Sequence, residues 1–126
     1  MKDYKNTFKN KQAWGLSATI DLKNCDPKLV TDKEAIRFFV EKLVESIDME
    51  LYGDMVIERF GEGKLKGYSV MQLIKTSSIT MHFGDNEPYA FIDIFSCKPY
   101  DPEAAAIFCK KWLEAESMTF DYKFRL

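Results

Sequence analysis

Ser77, the sole histidine His82, and Cys97 bring a hydroxyl, an imidazole and a thiol within twenty-one residues of each other. A serine hydroxyl is a weak nucleophile until a base takes its proton. Imidazole is the side chain whose ordinary pKa lies closest to neutrality. A thiol can donate a proton or attack. Together the three side chains could serve one reaction centre, with Ser69 as a second hydroxyl nearby. Each also has a plain structural reading. A lone strand histidine is usually a hydrogen-bonded structural residue, a lone cysteine a small core residue, and Ser77–Ser78 ordinary turn chemistry. Cys25 and Cys109 carry no such company and read as structural or incidental thiols. Three cysteines without a CxxC pair, and one histidine, argue against a disulfide framework and a zinc site.

These residues sit in strand-like sequence. Residues 77–83 and 89–96 read as strands, as does 67–74 before them. The loop GDNEP separates the last two with good turn residues. If the chain reverses at Lys75–Thr76 and again at 84–88, two antiparallel hairpins follow. The first register puts Ser69 opposite His82. The second puts Cys97 beside Lys75 and Thr76. Directly opposed side chains in such a pair lie about 4.5–5.5 Å apart, so all the reactive groups should gather around one turn. One conflict stands: Ser77 and His82 are five apart, and an odd spacing places them on opposite faces of a regular strand. A bulge or twist must re-aim Ser77.

The remaining elements supply the frame. Residues 14–21 alternate, with Leu16, Ala18 and Ile20 on one face, and predict a half-buried strand. Thr31 and Glu34 form a capping-box pattern. Ile36, Phe39, Val40, Leu43 and Ile47 then recur at helical spacing and predict an amphipathic helix of about 17 residues. A strand near 55–60 follows. Asp101 as N-cap and Pro102 at the first turn open a second helix to about residue 115, with Ala104, Phe108 and Trp112 as its apolar stripe. Met118, Phe120, Tyr122 and Phe124 alternate with polar residues in a last strand, a stripe suited to core or interface. The order β-α-β-β-β-β-α-β, with one wet sheet face, predicts an α+β two-layer sandwich: a mainly antiparallel sheet with two helices on one face.

Composition agrees with one domain. Hydrophobic residues at 46% allow a real core, and a net charge of −2 offers no nucleic-acid footprint. Residues 1–12, with Lys2, Lys5, Lys9 and Lys11, read as a polar, solvated tail, leaving 13–126 as a single domain. No apolar run approaches the roughly 18 residues of a membrane span, and no signal-peptide core is visible. A reducing cytoplasm is the expected location.

From 14 to 125 the chain resembles the small prokaryotic S-adenosylmethionine decarboxylases, most specifically over 67–97. GYS at 67–69 is similar to the family's GVS, YAFIDIFSC at 89–97 to YAAVDVFTC, and DPEAA at 101–105 to the start of its second helix. The serine, the histidine five residues later and the cysteine fifteen after that match in spacing. The resemblance implies a self-processing enzyme. Ser77 would attack the carbonyl of Thr76, and cleavage at Thr76–Ser77 would leave a pyruvoyl group on residue 77. Ser69 and His82 would assist this processing. The pyruvoyl would hold the substrate amine as a Schiff base, and Cys97 would be the proton donor. Phe60 and Glu87 are the implied substrate contacts, and Asp93, on the same face as Cys97 by parity, either binds substrate or satisfies buried backbone groups. The implied function is decarboxylation of S-adenosylmethionine for spermidine synthesis by a homodimer, with no metal and no added cofactor. The chain departs from the family in places: Thr76 stands for the usual glutamate, Ser78 for a histidine, and HFGDN for HTWPE, so Asn86 falls where a glutamate holds ribose hydroxyls. A related decarboxylase acting on arginine or ornithine would tolerate that loss. An unprocessed, non-catalytic relative is a third reading.

Overall fold

The computed structural model describes residues 3–126. Six strands form one antiparallel sheet: β1 (Gly15–Lys23), β2 (Leu51–Phe60), β3 (Gly67–Ile74), β4 (Ser77–Phe83), β5 (Ala90–Ser96) and β6 (Ser117–Arg125). Their order across the sheet is β2-β3-β4-β5-β1-β6. Helices α1 (Tyr4–Asn10), α2 (Pro27–Val30), α3 (Lys33–Ser46) and α4 (Pro102–Trp112) complete the fold. The strand and major-helix order follows the apolar periodicity, and the fold class is the expected α+β sandwich.

The core lies between α3, α4 and one sheet face. Ile36, Phe39, Val40 and Leu43 of α3 are fully buried against Leu16, Ile20, Ile79, Met81, Ile92 and Ile94 of the sheet. Each fully buried side chain of this size is worth about 1.5–3 kcal/mol. Among the described residues, no layer covers the opposite sheet face. Met71 (63% exposed), Leu73 (57%) and Phe91 (39%) stand open on it beside Ser69, His82 and Asp93.

Three local expectations are corrected. Residues 4–10 of the supposed solvated tail form a helix. Tyr4 is buried there, edge-on to Tyr122, and its hydroxyl donates to Glu103; Phe8 meets Phe124. Two aromatics at helical spacing find the aromatic stripe of β6, which offsets the cost of ordering a short helix. The cap of α3 is Asp32, whose carboxylate accepts from Glu34 N, while Thr31 closes α2. Asp26 and Pro27 start an extra helical turn, so the cap moves one residue along. In α4 the buried stripe is Ala105, Ala106 and Cys109, continuing to Leu113, with Ala104 exposed. Small side chains seat this helix close to the sheet; Phe108 and Trp112 stack at its margin.

Candidate active site

The two hairpins have the expected register. Ser69 faces His82 across β3–β4, and Ser77 faces Ser96 across β4–β5. Ser69 Oγ and His82 Nδ1 lie 2.9 Å apart, a direct hydrogen bond. At the other end of β4, Cys97 N–H donates to Ser77 Oγ at 2.9 Å, and Ser77 Oγ lies 3.7 Å from Cys97 Sγ.

The groups therefore form two pairs rather than the single cluster expected. Five residues of β4 separate them, about 17 Å at roughly 3.4 Å per residue. The parity conflict is resolved by position. Ile79, Met81 and Phe83 point into the core and His82 points out. Ser77, the first residue of β4, is half-buried at the strand mouth and reaches Cys97 there.

The backbone just before Ser77 is unusual. Thr76 has φ of 87°. For a β-branched residue this is a genuine outlier, of a kind that costs about 1–3 kcal/mol and persists only where the surroundings enforce it. Lys75 N–H is bound to Glu50 O at 2.8 Å, which anchors the turn to the start of β2. Cys97 N–H also reaches Thr76 O at 3.2 Å. One backbone donor thus bridges the Ser77 hydroxyl oxygen and the neighbouring carbonyl oxygen. Attack of the first on that carbonyl would place negative charge on the second, where a fixed donor already stands.

Beside His82, on the open sheet face, is a cavity of about 290 Å³ lined by Lys64, Leu65, His82, Phe83, Gly84, Glu87, Tyr89 and Phe91. This is near the lower end of small-molecule sites. Its rim is stapled. Asp85 N–H donates to Lys66 O, Asp85 pairs with Arg59, and Asn86 Nδ2 donates to Gly63 O at 3.0 Å. Gly67 permits the close crossing beneath: a Cβ there would sit 1.7 Å from Phe83 O. Tyr89 bonds Glu87, which raises the phenol's pKa.

Of the expected substrate contacts, Glu87 lines this cavity. Phe60, 60% exposed at the end of β2, is not among its walls; Leu65 of the intervening turn is. Asp93 lies mid-face on β5, opposite Thr80 and Thr19. Reading the sequence missed Lys64 and Tyr89, because nothing local announces that a glycine-rich connection folds over a strand end. It also missed the buried hydroxyl of Ser96. That one was legible as the polar break in the inward series Ala90, Ile92, Ile94.

Comparison with known proteins accords with this geometry. The sequence profile of the S-adenosylmethionine decarboxylase family matches residues 16–125. An S-adenosylmethionine decarboxylase proenzyme of Clostridium botulinum is 30% identical over 77% of this chain and 81% of its own length. An arginine decarboxylase proenzyme of Caldivirga maquilingensis is 36% identical over 59% of this chain and 58% of its own length. The crystal structure of the Aquifex aeolicus adenosylmethionine decarboxylase superposes with a TM-score of 0.75 at 21% identity, covering 90% of this chain and 91% of that one. A left-handed threonine before a serine, a thiol beside that serine and a serine–histidine pair at the far end of the same hairpin thus sit in a chain that belongs to the S-adenosylmethionine decarboxylase family, and it is a decarboxylase of that family.

Proposed function

We propose that this chain is a proenzyme that cuts itself between Thr76 and Ser77 and then decarboxylates S-adenosylmethionine. The observation that carries the reading is the Thr76–Ser77 bond itself, with left-handed Thr76 and the Cys97 N–H between the two oxygens. Ser77 Oγ attacks the Thr76 carbonyl carbon, the C–N bond breaks, and the hydroxyl proton ends on the freed amine. A base then takes the Cα proton of residue 77. The Cβ–Oγ bond breaks and Thr76 leaves as a carboxylate. Water displaces the nitrogen as ammonia, leaving a pyruvoyl group on residue 77. The residues present suit that group: a thiol lies 3.7 Å, and a backbone donor 2.9 Å, from Ser77 Oγ, beside the atoms that would become the pyruvoyl.

Once formed there, the pyruvoyl would supply an electron sink for decarboxylation of an amine-bearing substrate. Cys97 Sγ holds the proton that returns to the substrate carbon. The chain's own Ser69–His82 pair is too far along β4 to supply the base. A second copy, stacked two-fold on the open sheet face, brings its pair to the first copy's Ser77. The exposed Met71, Leu73 and Phe91 on that face support a homodimer built this way. The cavity beside His82 then becomes the pocket for the distal part of the substrate, with Glu87 as its carboxylate. On this reading residues 13–126 are the catalytic domain, the product is an aminopropyl donor for spermidine synthesis, and three unpaired thiols suit the cytoplasm.

A second reading, an arginine or ornithine decarboxylase, is favoured by one observation. Asn86, at the register position of the ribose-binding glutamate, is spent on the Gly63 carbonyl. Release of carbon dioxide from carboxyl-labelled S-adenosylmethionine, arginine and ornithine decides between them. Release from S-adenosylmethionine alone is expected. Release only from arginine or ornithine would replace the first reading with the second.

A further inference from the structure

We infer that Ser96 is a positioning residue for the cleavage at Thr76–Ser77, acting through the hydroxyl of Thr76; this rests on the self-cleavage proposed above.

The inward series of β5 runs Ala90, Ile92, Ile94 and then Ser96. Ser96 is fully buried, and a buried hydroxyl is costly unless it has partners. Its partners all surround the cleavage turn. Its Oγ accepts from Lys98 N at 2.9 Å, lies 3.5 Å from Met49 Sδ, and is 3.4 Å from Thr76 Oγ1. In register it stands directly opposite Ser77.

Thr76 needs such a partner. Its left-handed backbone is intrinsically unfavourable, and relaxation to an ordinary φ would rotate the peptide plane that carries its carbonyl. The carbonyl oxygen would then leave the Cys97 N–H. An error of about 1 Å in a reacting geometry costs on the order of 100-fold in rate. Two of the bonds holding the turn are backbone bonds, at Lys75 N–H and at Thr76 O. The third is the hydroxyl contact from Ser96. It is the one that meets the Thr76 side chain itself, at 3.4 Å.

The test is a cleavage time course. The wild-type chain, Ser96→Ala, Thr76→Val, the double variant and Ser96→Thr are made by cell-free synthesis, and the cut fraction is read by denaturing mass spectrometry. Thermal melts of the uncut chains report folding. The inference predicts cleavage at least tenfold slower in Ser96→Ala and in Thr76→Val. The double variant should be within about twofold of the slower single, because both remove one contact. Ser96→Thr, which keeps the hydroxyl, should restore the rate to within about threefold. If Ser96→Ala does not fold, Thr76→Val and Ser96→Thr still decide, since Thr76 is exposed. Wild-type speed in Thr76→Val, or fully multiplicative losses in the double variant, would overturn the inference while leaving self-cleavage standing. A wild-type chain that never cuts would overturn the self-cleavage reading, and this inference with it.

Discussion

At the scale of single residues, the proposed mechanism divides between backbone and side chain at Cys97. On that mechanism its N–H serves the cut and its thiol serves turnover. Cys97→Ala keeps the N–H, so the chain should still cleave, while decarboxylation falls by on the order of 100-fold, the usual worth of a placed proton donor. A mass spectrum and a turnover assay on one sample check both halves. Failure of Cys97→Ala to cut would assign the thiol, not the backbone, to processing. Ser77→Ala should give a folded, uncut chain with no decarboxylation; activity in that variant would remove the serine from the mechanism. The reactive residue types were legible in the sequence: a sole histidine, a serine opening a strand and a cysteine closing the next one. The backbone of Thr76 was not legible. A positive φ at a threonine contradicts its local preference, and only the bonds from Glu50, Ser96 and Cys97, distant in sequence, enforce it.

At the scale of elements, the sheet was readable because each strand alternates and each turn has turn residues. The registers that put Ser69 opposite His82 and Cys97 beside Thr76 followed from hairpin closure alone. What escaped was tertiary. The helix at 4–10 exists through aromatic contacts with β6, and the loop at 84–88 is held by Arg59 and Gly63 from another connection. Gly67 marks that crossing. Gly67→Ala should lower stability by roughly 1–3 kcal/mol, the cost of forcing a methyl into packed backbone, seen as a lowered melting temperature. An unchanged melt would mean that the two strand ends separate freely.

The core elements also set an alkaline limit. Burial pushes the Cys25 thiol up from 9.0 to about 11 and raises that of Cys109 as well. The folded chain holds these protons more tightly than the unfolded chain. Their contribution is therefore full below pH 9 and is lost as pH rises through about 11. Melting temperature measured from pH 8 upward should fall over that window, and Cys25→Ala should fall less steeply.

At the scale of the whole molecule, the proposed dimer answers the separation of the two pairs. Neither a His82→Ala chain nor a Ser77→Ala chain should cut alone. Co-expressed, they should form mixed dimers in which the His82→Ala chain is cut by the histidine of its Ser77→Ala partner. Persistence of both chains uncut in a purified mixed dimer would refute completion of the site between copies. How two copies would meet is the part of the proposed site that residue spacing does not carry. Both hairpin registers followed from the sequence, so the roughly 17 Å along β4 between the pairs was legible in them, although the turn drew the expectation of one cluster.

The central claim is that Thr76–Ser77 is a bond built to break. The most direct test is the intact mass of the freshly purified chain under denaturing conditions. The account predicts two fragments, residues 1–76 with a free carboxyl terminus and 77–126 with a pyruvoyl-blocked amino terminus. A single full-length mass, unchanged over days of incubation, would contradict it.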